Sequence, residues 1–113
     1  MLVKSCAMIN CVDFCKALGD ETRQRILEVL LSQGEMCVGD LVAIFNLSQP
    51  TISHHLTLLK NAKLVTSRRD GKQVFYAIDR ENVTSCCGIL FAKFAPEDVN
   101  PDQLLVSLVK ATD

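Results

Sequence analysis

The stretch "VGDLVAIFNLSQPTISHHLTLLKNAKLV", residues 38 to 65, admits few folds. Apolar residues recur at helical spacing on both sides of Asn46-Leu47. Ser48 is a favoured N-cap, and Pro50 fits a first turn, where its missing N–H has no helical partner to lose. Two helices joined by only a few residues follow. In the second, Ile52, Leu56, Leu59 and Ala62 or Lys63 point inward. Its other face carries Thr51, Ser53, His54, His55 and Lys60, where a purely structural helix would set Lys and Glu.

The flanking segments complete the order. A first helix over about Cys11 to Leu18 ends at Gly19, and Asp20 caps a second helix, "DETRQRILEVLLSQG", which stops at Gly34. Ile26, Leu27, Leu30 and Leu31 form its core face. After the helix pair, "LVTSRRDGKQVFYAI" sets β-prone residues on either side of Asp70-Gly71, a strong hairpin signal. Arg68, Arg69 and Lys72 cluster at its tip. A helix from about Arg80 to Phe94 follows, and Asn100-Pro101 reads as the cap of a short terminal helix to about Lys110. The expected architecture is mainly α with a β-hairpin wing: a single winged helix-turn-helix domain over 1–113, with an N-terminal segment and first helix (1–18), the helix-turn-helix (38–63), the wing (64–78) and C-terminal helices (80–110).

At 113 residues the chain buries a modest core, and a second subunit would add stability, so a dimer is expected. "MLVKSCAMINCVDF" is interrupted by Lys4 and Asp13, has no small-residue cleavage site and is too short to span a membrane, which reads as a cytoplasmic protein without membrane contact. The net charge of −1 hides an asymmetry. Between Gln49 and Gln73, Lys60, Lys63, Arg68, Arg69 and Lys72 face only Asp70, whereas the chain after Ile78 is acidic. A local basic face of this kind suits a polyanion, and equally a solvated surface.

A capped helix with a polar outer face, following a short turn and preceding a basic hairpin, can enter the major groove of double-stranded DNA. Ser48, Gln49, Thr51, Ser53, His54 and His55 are the candidates for base readout or phosphate positioning, with Gln49 foremost. Lys60, Arg68, Arg69 and Lys72 are the candidate phosphate contacts. Zinc ligation by the adjacent histidines is disfavoured, because neighbours on a helix diverge by about 100°.

"CKALGDETRQRILEVLL", "GEMCVGDLVAIFNLSQPTISHHLTLLKNAKLV" and "SRRDGKQVFYAI" together resemble the ArsR/SmtB family of bacterial metal- and metalloid-responsive repressors, over about Cys15 to Ile78. The resemblance implies a homodimer joined through first and last helices, which binds operator DNA when free and leaves it when an effector binds. It implies no enzyme and no small-molecule substrate.

Six cysteines in a reducing compartment point to metal ligation or redox chemistry rather than to disulfides. Cys11 and Cys15, four apart, lie on one helical face, Cys86 and Cys87 are adjacent, and Cys37 opens the third helix. Thiolates are soft ligands suited to arsenite, antimonite, cadmium, lead, mercury, copper(I) and zinc. Many family members carry Cys-Val-Cys where this chain has "CVGD", so Cys37 would recruit sulfurs from elsewhere, such as Cys11 or Cys6 of the other subunit. The last helix also lacks the Asp/His/Glu set of the family's zinc site. Trivalent arsenic or antimony, needing three thiolates, is the leading effector. It would be held by Cys11 and Cys15 with Cys86 and Cys87 across the dimer, or by the N-terminal cysteines with Cys37. Cadmium, lead and zinc are alternatives, as is a repressor sensing reactive sulfur or redox state. A thiol enzyme fits poorly: there is no Cys-x-x-Cys pair or Gly-rich phosphate loop, and both histidines lie far along the chain from every cysteine.

Overall fold

The computed structural model describes residues 11–95 and residue 97. Its elements are α1 (Cys11–Leu18), α2 (Glu21–Gln33), β1 (Met36–Cys37), α3 (Val38–Phe45), α4 (Gln49–Asn61), β2 (Val65–Asp70), β3 (Gln73–Ile78) and α5 (Arg80–Phe94). The expected terminal helix to Lys110, and Cys6, lie outside the described residues.

Local chemistry sets most of these boundaries. Asp20 accepts the Arg23 backbone N–H at 3.0 Å and starts α2. Ser48 accepts the Thr51 backbone N–H at 3.3 Å and starts α4. Both are side-chain caps that satisfy an otherwise orphaned donor of the first turn. Between α3 and α4, Asn46 adopts the left-handed region with φ 54°. Asn tolerates that region better than most residues. The chain can therefore reverse within a few residues.

The end of α4 is less obvious from sequence. Lys63 takes φ 66°, its N–H bonds to the Lys60 carbonyl (3.0 Å), and Leu64 N–H bonds to the Leu59 carbonyl (2.9 Å). This is a Schellman closure with lysine where glycine is usual. Leu59 and Leu64, both fully buried, make its apolar contact and aim β2 away from the helix.

The hairpin pairs Val65 with Ile78 through Asp70 with Gln73, so the turn consists of Gly71 and Lys72 rather than Asp70-Gly71. Of these two, Gly71 alone has positive φ, at 65°. That is the sign pattern of a type II′ turn. β1 adds a third strand in the order β1-β3-β2, pairing Met36 with Tyr76 and Cys37 with Phe75. Two residues are too few to show a strand period in sequence.

The core joins Phe14 and Ala17 of α1, Ile26, Leu27 and Leu30 of α2, Leu41 of α3, and Ile52, Leu56 and Leu59 of α4. Leu31, expected on the core face, is 51% exposed. At about 100° per residue it lies roughly 90° from the centre of the stripe made by Ile26, Leu27 and Leu30. No helix among the described residues is long and apolar enough to cross a membrane.

Candidate nucleic-acid interface and thiol groove

Burial of Ile52, Leu56 and Leu59 fixes the rotation of α4 about its axis, so the intervening positions must face outward. Gln49, Thr51, His54, Thr57 and Lys60 are exposed; Ser53 and His55 are partly covered. The Ser48 hydroxyl donates to the Thr51 hydroxyl (2.8 Å), and Thr57 donates to the Ser53 carbonyl (2.9 Å). Thr51 keeps its own hydroxyl proton for an outside acceptor. Gln49 and Lys72 line one cleft of about 270 Å³, with Cys37, Gly39 and Gln73. The start of the exposed helix and the tip of the wing thus share a surface.

His55 is arranged differently from His54. Its Nδ1 lies 3.2 Å from Arg23 Nη1. A guanidinium can only donate, so Nδ1 must be the acceptor. Partial burial lowers the His55 pKa; the Asp20 carboxylate opposes that shift, and Arg23 and His54 reinforce it. Asp20 in turn is held below the usual carboxylate range, chiefly by the Arg23 backbone N–H. The ring is neutral at physiological pH, with only its Nε2 edge left for DNA.

Among the wing cations, Arg68 is already engaged. Its Nε donates to one carboxylate oxygen of Glu35 at 2.8 Å and its Nη2 to the other at 2.7 Å. Arg68 Nη1 lies 3.6 Å from Asp70, and the guanidinium sits 4.9 Å from the Phe75 ring centroid. The two-pronged carboxylate pairing and the ring face both suit a planar guanidinium. Arg68 holds Glu35 below the usual carboxylate range. Arg69 and Lys72 are exposed at the tip.

The cysteines fall into separate places. Cys11 and Cys15, with Leu90, Lys93 and Phe94, line a groove of about 430 Å³ between α1 and α5. Burial pushes the Cys87 thiol pKa up, and the charge of Cys15 adds to the shift. Cys86, in the middle of α5, is fully buried. It shares a helical face with Val83, Ile89 and Leu90, which pack against the core. Cys37 caps α3 and lies in the other cleft, beside Gln49. Among the described residues, no three His, Cys, Asp or Glu side chains are grouped to hold a metal ion. The described residues of one protomer therefore form no three-sulfur site, which would need a donor from elsewhere.

Sequence reasoning missed Arg23, Glu35 and Phe75. Arg23 and Glu35 meet partners 32 and 33 residues away, so no spacing rule reports them.

A short-linked helix pair, a capped and polar second helix, and a basic-tipped hairpin beside it define a winged helix-turn-helix. Residues 20–67 match the family model described as bacterial regulatory protein, arsR family. The chain is 48% identical over 68 residues to a Staphylococcus aureus cadmium resistance transcriptional regulatory protein CadC homolog, covering 60% of this chain and 56% of that protein. It is 44% identical over 64 residues to the Bacillus subtilis transcriptional repressor SdpR, covering 57% of this chain and 70% of that protein. A crystal structure described as a possible transcriptional regulator for arsenical resistance superposes with a TM-score of 0.63 at 32% identity, covering 81% of this chain and 92% of the other. The chain belongs to the arsR family of bacterial regulatory proteins.

Proposed function

We propose that the chain is a homodimeric, cytoplasmic transcriptional repressor that binds double-stranded operator DNA and is released when its thiolates hold a soft metal(loid), with trivalent arsenic or antimony first. The observation that carries this reading is the gathering of Cys11 and Cys15 in one groove, in the neighbourhood of Cys87, at the junction of α1 and α5. Thiolate donors match the chemistry of arsenite, antimonite, cadmium and lead better than that of hard cations. Relatives named for cadmium and arsenical resistance support the same class of effector. Val12 is 60% exposed and Phe94 74% exposed on the same two helices. They supply apolar surface for a second copy, which would bring the third sulfur. Cys86 would have to leave the core to take part, and Cys37 would have to leave its cleft.

On DNA, Gln49, Thr51, Ser53, His54 and the Nε2 edge of His55 read or position bases, Ser48 orders the helix start, and Lys60, Arg69 and Lys72 meet phosphates. Arg68 becomes the anchor of the wing. Arg69→Ala and Lys72→Ala are each expected to reduce the log-log salt dependence of DNA binding by about 0.9, while Arg68→Ala leaves it unchanged. Anisotropy titrations over a range of KCl measure this, and an equal loss for Arg68→Ala would return it to the phosphate contacts.

The function itself is tested by fluorescence anisotropy on DNA from upstream of the protein's own gene, titrated in turn with arsenite, cadmium, zinc and polysulfide. Arsenite is expected to weaken binding roughly 5–150-fold. If no agent weakens binding by folded protein, the inducible repressor is wrong. Release by polysulfide alone would favour the second reading, which the electrostatic coupling of Cys15 with Cys87 supports. There, two thiols lose two electrons and two protons to the polysulfide, forming a disulfide as the polysulfide is reduced to hydrosulfide.

A further inference from the structure

The last carbonyls of α1 have no partners within their own helix, and side chains from the start of α2 take them up. Arg23 Nε donates to the Ala17 carbonyl (2.7 Å), Arg23 Nη2 to the Lys16 carbonyl (3.1 Å), and Gln24 Nε2 to the Leu18 carbonyl (2.6 Å). A guanidinium suits this position, because the carbonyl end of a helix carries partial negative charge. The same guanidinium then spends its remaining edge on His55 of α4 (3.2 Å). Between α1 and α4 lies a cavity of about 310 Å³ lined by Asp13, Lys16, Arg23, Leu58 and Asn61. Side chains do not fill the space between these helices at that point, and Arg23 bridges it.

We infer that Arg23 is a positioning residue that ties the end of the cysteine-bearing helix α1 to the DNA-reading helix α4 through His55, so that the placement of α1 and the aim of α4 are set together. The inference rests on the repressor reading and supplies a route by which an event at Cys15, next in sequence to Lys16, reaches the DNA surface. The planar fork of Arg23 is essential to it: a lysine ammonium on a flexible stem cannot hold two carbonyls and an imidazole at once. Neutral His55 is equally necessary, since the imidazolium has no acceptor. The charged groups facing His55 are Asp20 and Arg23 from the α2 end and His54 on its own helix. Because the folded pKa is depressed, the tie is complete above the ordinary histidine value of about 6.5 and is lost as pH falls through the lower folded value.

The test compares the unaltered full chain with Arg23→Lys, Arg23→Gln, His55→Asn, His55→Leu and the double variant Arg23→Gln/His55→Leu, all checked for folding by circular dichroism. Binding to DNA from upstream of the gene is followed by anisotropy between roughly pH 5 and 8. Arg23→Lys and Arg23→Gln should each weaken binding about tenfold, His55→Leu at least as much because it also gives up the Nε2 edge, and the double variant no more than His55→Leu alone. His55→Asn, which keeps an acceptor near the place of Nδ1 but gives up the Nε2 edge, should weaken binding less than His55→Leu and lose the acid-side fall of the unaltered chain. Nitrogen NMR of the histidine side chains should report a protonated Nε2 and an accepting Nδ1 at His55, a preference erased by Arg23→Gln while His54 is unmoved. With sodium arsenite, the release shown by the unaltered chain should shrink in Arg23→Lys.

Additive losses in the double variant, His55→Asn as weak as His55→Leu, or equal arsenite release with and without Arg23 would overturn the inference alone. Absence of DNA binding by the unaltered chain would overturn the repressor reading and the inference with it. Failure of arsenite to release the unaltered chain would strike only the choice of effector.

Discussion

A chain carrying Cys11→Ser and Cys15→Ser together is expected to bind operator DNA within about twofold of the unaltered protein and to keep hold of it when arsenite is added. Both residues lie on α1, lining the groove against α5, while the DNA candidates lie on α4 and the wing. Cys15 is exposed and Cys11 partly so, and the exchange of sulfur for oxygen there leaves the core untouched. What disappears is the soft donor pair, and with it a coupling of about 1–3 kcal/mol, equivalent to the whole 5–150-fold release. Cys37→Ser should release normally, because Cys37 lies in the cleft beside Gln49 and Lys72. Cys86 is fully buried among apolar side chains. Cys86→Ser should therefore lower stability, because a smaller and more polar hydroxyl replaces a buried sulfur that behaves as a small hydrophobe. Anisotropy with and without arsenite, alongside melting curves at one protein concentration, separates these outcomes. Undiminished release by the α1 double variant would remove that helix from the sensing site.

The largest effect on stability is expected at Leu56. Its side chain is fully buried on the inner face of α4. Leu56→Ala removes buried methyl groups and leaves a cavity that the surrounding helices fill only in part, at a cost of about 2–5 kcal/mol. Domains of this kind are stable by only about 5–15 kcal/mol, so a large share of the margin goes. Melting should fall by roughly 10–30 °C, since about 1 kcal/mol moves a small domain by roughly 4–8 °C. Leu31, 51% exposed, is the comparison. Leu31→Ala should cost about 1 kcal/mol or less. Comparable losses at both positions would mean that the α2 stripe is buried more widely than the described core, as it would be under a second subunit.

Most of the fold was legible because its boundaries are set by chemistry local to the chain. Asp20, Ser48 and Pro50 announce helix starts, Gly34 an end, and Gly71 a hairpin, each through bonds within a few residues. The α4 face was legible for a related reason, since helical periodicity separates Ile52, Leu56 and Leu59 from Gln49, Thr51 and His54. Features without periodicity were not. β1 is too short to alternate, and Lys63 stands in a left-handed position that sequence habitually reserves for glycine.

The candidate site was legible by residue type more than by partnership. Arg68 and His55 looked available for DNA because their neighbours in sequence are polar; the structure gives each a partner more than thirty residues away. The adjacent pair Cys86-Cys87 looked like a two-sulfur ligand. Helix geometry sends neighbours about 100° apart, which puts Cys86 in the core and Cys87 near Cys15. Helical phase was the available signal: Val83, Ile89 and Leu90 share the face of Cys86.

Thermodynamic reciprocity offers the most direct test of a thiol site coupled to a DNA surface. If arsenite weakens DNA binding by a given factor, then DNA must weaken arsenite binding by the same factor. Isothermal titration calorimetry of arsenite into the free protein and into the protein saturated with operator DNA measures both affinities. The arsenite affinities are expected to differ by the same roughly 5–150-fold as the DNA release. Equal arsenite affinity for the free and the DNA-bound protein would contradict it.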